Sequence, residues 1–283
     1  MKRHLIIGCG YTGLSLAKLT LQGGQAVTGT STGLLRRAEI EDTGAHFATL
    51  DLDDTPLKLP LSSVDAVTVL APPPDSLEAG ARRIRRLVEV ANGASVVVVV
   101  STALYGDSRG TVTERTRPAA STLRGKRWEI ADATALLMRR CGHDVKVVRT
   151  PSIYGPGRDF RKKLEDGSAV IIDGAPTVSR IHRDDLARLL WRMHQDDAPP
   201  ILLACDDLPA PTFRASDEAA RLLSLDRAPR ISIEEAKQKF SERGFDMRMG
   251  GHICKSVVRP LLGVSLTFPT YREGLRASFR DGI

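Results

Sequence analysis

Gly8-Cys9-Gly10-Tyr11-Thr12-Gly13 carries the clearest chemical signal in the sequence. It follows the apolar run Leu5-Ile6-Ile7 and opens a helical pattern, the context in which a G-x-G-x-x-G cradles a dinucleotide. Gly8 permits the tight turn, Gly10 lets a pyrophosphate approach the backbone, and Gly13 lets helix and strand pack closely. Tyr11 and Thr12 lie in the first turn, where unpaired N–H groups and the positive dipole end favour phosphate. The next strand ends Val27-Thr28-Gly29-Thr30-Ser31-Thr32 without the carboxylate that would hold a ribose 2′-hydroxyl. The hydroxyls of Thr30 and Ser31, followed by Arg36 and Arg37, suit a 2′-phosphate, so the expected cofactor is NADP, with NAD the alternative.

The elements that must position this loop alternate in type. Strands are expected at 5–7, 25–30, 46–50, 64–71, 95–100 and 145–148. Helices are expected at 12–22, 34–42, 77–92 and 127–141. The run Ser95 to Val100 is apolar on both faces, as in a parallel sheet covered on both sides. This pattern predicts an α/β fold with a doubly wound parallel sheet. After Arg149 the rhythm loosens: 153–157 reads as a loop, 184–194, 213–225 and 233–243 as helices, and 201–204 as a strand. The expected division is a dinucleotide-binding domain over 1–150 and a small α+β substrate lobe over 151–283, interwoven with the main sheet.

Composition narrows the function classes. The longest aliphatic run, Val96 to Val100, is far too short to cross a bilayer, so no membrane partner is expected. The apolar run at Leu5 is too short for a secretion signal, and Cys9, Cys141, Cys205 and Cys254 are widely spaced; both suit a cytoplasmic protein. The histidines are scattered and no metal site is expected. The net charge of +7 comes as short basic doublets without interleaved aromatics. That pattern argues for a small anionic substrate rather than nucleic acid.

The order of motifs resembles the short-chain dehydrogenase/reductase superfamily, in particular its extended or atypical, NAD-dependent epimerase/dehydratase-like branch. The resemblance rests on the glycine loop, Asp51-Leu52-Asp53, Ser101-Thr102-Ala103-Leu104-Tyr105-Gly106-Asp107, Arg149 to Gly157, Arg180 to Ala187, and Phe268 to Leu275. It implies a Rossmann domain with Asp51 and Leu52 near the adenine, and Ala71 and Pro72 lining the cofactor. It also implies Ser101 as the site serine, Pro151 and Ser152 close to the nicotinamide, and Arg180 and His182 facing the substrate.

One departure bears on the reaction. The resembling proteins use a tyrosine and, four residues later, a lysine on the helix after the fifth strand. Here the matching positions hold Arg124 and Trp128, and no Tyr-x-x-x-Lys occurs in the chain. A proton would then come from Tyr105, Tyr154, His182 or Lys126, with Arg124 and Lys126 available to an anionic substrate. The expected activity is NADP-dependent reduction of a small anionic metabolite at a C=N or activated C=C bond, where hydride delivery is cofactor chemistry. The alternatives are an epimerase or dehydratase using bound NAD, and a dinucleotide-binding sensor or scaffold. The helices from Leu77 and around Trp128 are the faces expected to pair in a homodimer.

Overall fold

The computed structural model describes residues 1–280 other than Asn92, Asp107 and Arg109. The last residue of the helix expected over 77–92 and the last residue of the Ser101 motif thus lie outside the described residues. Five strands open the central sheet: β1 (Arg3–Ile7), β2 (Ala26–Ser31), β3 (His46–Thr49), β4 (Ala66–Val69) and β5 (Ser95–Ser101). β6 (Val145–Thr150) follows them. β7 (Ser152–Tyr154) and β8 (Arg180–His182) pair with each other outside this sheet, and β9 (Ile201–Leu203) returns to it. The order is β9-β6-β5-β4-β1-β2-β3, with every neighbour parallel. The chain reverses its direction of winding between β1 and β4, which opens a crevice at the carboxyl ends of these two strands.

Both faces of the sheet are covered. Leu5 and Ile7 of β1 and Val96, Val98 and Val100 of β5 join one apolar cluster, while Ile6, Val97 and Val99 join another. Alternation along each strand sends neighbouring side chains to opposite layers. Helix α1 (Tyr11–Gln22) runs beside the helix α6 (Arg183–Arg192) on one face. Between them in sequence come α2 (Arg37–Glu41), α3 (Leu77–Val90), α4 (Leu123–Arg140) and the short α5 (Arg161–Glu165). α3 packs against α4 over the other face. After β9 the chain continues with α7 (Thr212–Leu223), α8 (Ile233–Lys239), α9 (Glu242–Met249) and α10 (Tyr271–Arg280).

Several boundaries differ from the sequence expectation. α4 begins four residues before Arg127, because the Thr122 hydroxyl accepts from the Gly125 N–H at 3.1 Å and caps the first turn. Arg124 and Trp128 therefore lie one turn apart on a helix. Residues 153 and 154 of the expected loop 153–157 belong to β7, since Arg180 to His182 offers it a parallel partner. The helix expected over 233–243 divides in two, and Ser241 caps the second part by accepting from the Gly244 N–H. β4 is shorter than 64–71, and the Leu34 segment starts as a 3-10 turn before α2.

Candidate functional site

The glycine loop sits at the carboxyl end of β1. Gly8 has φ +76°, and a Cβ there would stand 2.7 Å from the backbone nitrogen of Ala71. Only glycine fits this approach between the ends of β1 and β4. Gly13 is buried, where a Cβ would press on Ile6, Cys9 and Leu70 at 3.2–3.3 Å. α1 has neither a capping side chain nor an acidic residue in its first turn. A positive helix end with no carboxylate of its own fits a dinucleotide pyrophosphate.

Arg36 reaches this loop and Arg37 does not. The Arg36 guanidinium carbon lies 3.7 Å from the position of a Cβ on Gly10, and its Nη1 donates to Glu39 at 2.8 Å. Arg37 turns away along α2 to Glu41 at 3.0 Å and is largely exposed. Thr30 is fully buried. Ser31 is the half-buried hydroxyl at the strand end, bonded to the Gly33 carbonyl at 3.0 Å. Strand alternation puts the two hydroxyls in different settings: Thr30 points into the protein, and Ser31 stands half-buried at the strand end.

Leu52, Ala71 and Pro72 line one apolar cavity together with Ile84, Trp128 and Ala131. Asp51 is outside that lining, and its carboxylate accepts from the Asp53 N–H at 2.9 Å. Trp128 is half-buried against the α3–α4 layer, where the resembling proteins carry a lysine. Arg124 and Lys126 are exposed near the start of α4. Ser101 is half-buried at the end of β5, and its hydroxyl accepts from the Ala103 N–H at 3.2 Å. Pro151 follows β6 and is half-buried.

The two tyrosines offered as proton donors are built into the interior. Tyr105 is fully buried; its hydroxyl donates to the Thr113 carbonyl and accepts from Arg149 Nη1, each at 3.1 Å. Burial pushes its pKa up to about 12. The Tyr154 hydroxyl donates to the Thr270 carbonyl at 3.2 Å, and burial likewise raises its pKa. Arg180, expected to face the substrate, is buried and donates to the carbonyls of Val178 and Ala210 at 3.2 and 2.8 Å.

His182 caps α6: its Nδ1 accepts from the Asp184 N–H at 3.2 Å. Burial lowers its pKa and the neighbouring Asp184 opposes that shift. The structure also brings forward residues that the spacing did not single out. Arg158 and Arg183 lie over the Tyr11 ring, 4.2 and 4.9 Å from its centroid. Asp206, past the end of β9, is almost completely buried, which pushes its pKa up to about 8. None of these had a readable signal, because each is defined by a partner distant in sequence. Among the described residues no cluster of His, Cys, Asp and Glu could hold a metal, and no helix is long and apolar enough to cross a membrane.

This geometry agrees with what the chain is similar to. It is 26% identical to Protein YeeZ of Escherichia coli across 91% of this chain and 94% of that protein. A functionally unknown conserved protein from Silicibacter pomeroyi DSS superposes with a TM-score of 0.82 at 24% identity, covering 100% of this chain and 99% of that one. Human epimerase family protein SDR39U1 (isoform 2), solved with NADPH, gives 0.80 at 18% identity over 99% of both chains. UDP-glucuronic acid 4-epimerase from Bacillus cereus, solved with NAD, gives 0.77 at 15% identity over 98% of this chain and 97% of that one. These structures share the fold, two of them solved with a nicotinamide dinucleotide bound, and the profile of the NAD dependent epimerase/dehydratase family matches residues 4–203. The chain belongs to the NAD-dependent epimerase/dehydratase family of the short-chain dehydrogenase/reductase class.

Proposed function

We propose that this protein is an NADP-dependent reductase of a small anionic metabolite, acting on a C=N or activated C=C bond. The observation that carries the reading is Arg36 over Gly10, beside a second strand that ends in Ser31 without a carboxylate. A guanidinium there complements a 2′-phosphate, and an acidic residue would repel it. When bound, the nicotinamide supplies hydride. The chain supplies the glycine loop for the pyrophosphate and the apolar cavity at Leu52 and Ala71 for the adenine end. Arg124 and Trp128 in place of the tyrosine and lysine favour a substrate that needs little acid catalysis from α4. Calorimetry with NADPH and NADH tests the reading. NADPH binding about tenfold tighter is expected, a difference of about 1.4 kcal/mol. NADPH consumption is then screened with carboxylate-bearing imines and activated alkenes.

A second reading, epimerisation or dehydration with retained NAD, is favoured by the NAD held in the Bacillus cereus epimerase. Tighter NADH binding and a change of substrate stereochemistry without net cofactor use would establish it instead. Binding of cofactor with no turnover in either screen would leave a sensor.

A further inference from the structure

α4 turns Trp128, Ala131, Ala135 and Met138 toward the core, a stripe that recurs every three or four residues on one face of the helix. Ala131 is small, and Gly80 of α3, which lines the same cavity, has no side chain, so the Trp128 indole has room beside them. The other walls are Leu52, the Pro72–Pro74 run and the apolar ends of β4 and β5. Arg83 is the charged group of this lining, and its guanidinium is bonded to Asp53. An ammonium at position 128, where the resembling proteins carry lysine, would enter an apolar cavity at the cost of its hydration. An indole suits the same wall through its apolar faces.

The free space between these walls is about 20 Å³, roughly the room that one water needs and far less than a purine ring. A flat base therefore enters only if a wall moves. The proline run is stiff, because each ring fixes a backbone torsion. Just past it Asp75 pairs with Arg127 of α4 at 2.6 Å, which ties the run to that helix. Trp128 is half-buried and turns about two side-chain torsions, so it is the wall that can swing.

We propose that Trp128 is the movable wall of the adenine pocket: its indole swings to admit the base and then lies against it. This rests on the dinucleotide reading and deepens it. Position 128 acts at the adenine end of the cofactor, in place of the lysine's part in proton transfer.

Adenosine 2′,5′-bisphosphate, the adenine half of NADP, and nicotinamide mononucleotide, the other half, are the probes. Calorimetry and tryptophan emission follow each on the full chain, for the wild type, Trp191→Phe, Trp128→Phe and Trp128→Ala. Trp191 lies by Gly23 past the end of α1, and the chain has two tryptophans, so Trp191→Phe leaves Trp128 as the reporter. The adenine half should change the emission of Trp191→Phe and leave that of Trp128→Phe unchanged. Its affinity should fall about tenfold in Trp128→Ala and much less in Trp128→Phe, which keeps a ring to lie on the base. The nicotinamide half should treat all four proteins alike. Thermal melts establish that each variant is folded; if Trp128→Ala is not, the emission of Trp191→Phe with the adenine half decides alone. Equal affinity of wild type and Trp128→Ala for the adenine half, emission that ignores it, or a loss confined to the nicotinamide half overturns the proposal. In those cases NADPH bound by the wild type leaves the cofactor reading standing. A wild type that binds neither NADPH nor either half overturns both.

Discussion

The rings of His4 and His194 meet edge to face with centroids 4.7 Å apart, and the Thr68 hydroxyl lies 2.8 Å from Nε2 of each. Ser95 Oγ stands 3.2 Å from Nδ1 of His194 and accepts from Lys146 Nζ at 3.3 Å; Lys146 in turn pairs with Asp144. A polar chain thus crosses the sheet through β1, β4, β5 and β6 and reaches the residues just past α6. Burial lowers the His4 pKa from 6.5 to about 4, and burial lowers that of His194 as well, with His4 and Lys146 adding to the shift. The unfolded chain takes up these protons more readily than the folded one. Stability is therefore fully present above pH 6.5 and falls as the pH drops toward 4. The loss from His4 alone is on the order of 3 kcal/mol. Urea denaturation at pH 7, 6, 5 and 4 checks this, and a flat profile in that window would contradict it.

Arg36→Ala should weaken NADPH about tenfold and leave NADH nearly unchanged, because only the 2′-phosphate gains from the guanidinium. Arg37→Ala, whose side chain turns to Glu41, serves as the internal comparison. Calorimetry on both variants with both cofactors measures the difference. Equal losses for NADPH and NADH would place Arg36 at the pyrophosphate instead.

Asp132 and Arg149 form a two-pronged pair at 2.8 Å for each bond, with both side chains buried. Asp132→Ala leaves a buried guanidinium without its counter-ion and should cost about 3–5 kcal/mol in urea denaturation. Replacing both partners, Asp132→Leu with Arg149→Met, should recover much of that loss. A double variant no better than the single one would show that Arg149 matters chiefly through Tyr105 and the carbonyls of Glu114 and Thr116.

Tyr105→Phe and Tyr154→Phe separate architecture from chemistry. Removing the Tyr154 hydroxyl deletes one bond to a carbonyl and should cost about 1 kcal/mol. Removing that of Tyr105 also withdraws an acceptor from Arg149 and should cost about 1.5–3 kcal/mol. NADPH affinity should be unchanged in both. Loss of NADPH consumption with stability intact would make the affected tyrosine the proton donor.

The doubly wound sheet was legible because its causes are local and repetitive. Leu5-Ile6-Ile7 and Val96 to Val100 are apolar on both faces, and such strands fit only a sheet covered twice. The glycine loop was legible because G-x-G-x-x-G between an apolar strand and a helical pattern is a short-range signal, although the close approaches that require Gly8 and Gly13 come from Ala71 and, in part, Leu70, just after β4. The start of α4 was less so: its signal is a single hydroxyl, Thr122, and Gly125 in the first turn hides it. β7 could not be read, because a three-residue strand exists only through its partner, here Arg180 to His182.

Residue types and spacing alone determined the fold class, the dinucleotide loop and the absence of a tyrosine–lysine pair from α4, all set by short-range pattern. Only the tertiary structure decided which of two adjacent arginines reaches the loop, that Thr30 is enclosed while Ser31 is not, and that Tyr105 and Tyr154 are bonded into the interior. It alone brought Arg158, His182 and Arg183 to Tyr11 across some 150 residues of chain. The physical reason is range: a side chain's type fixes what it can bond, whereas burial and partner choice depend on packing between elements far apart in sequence.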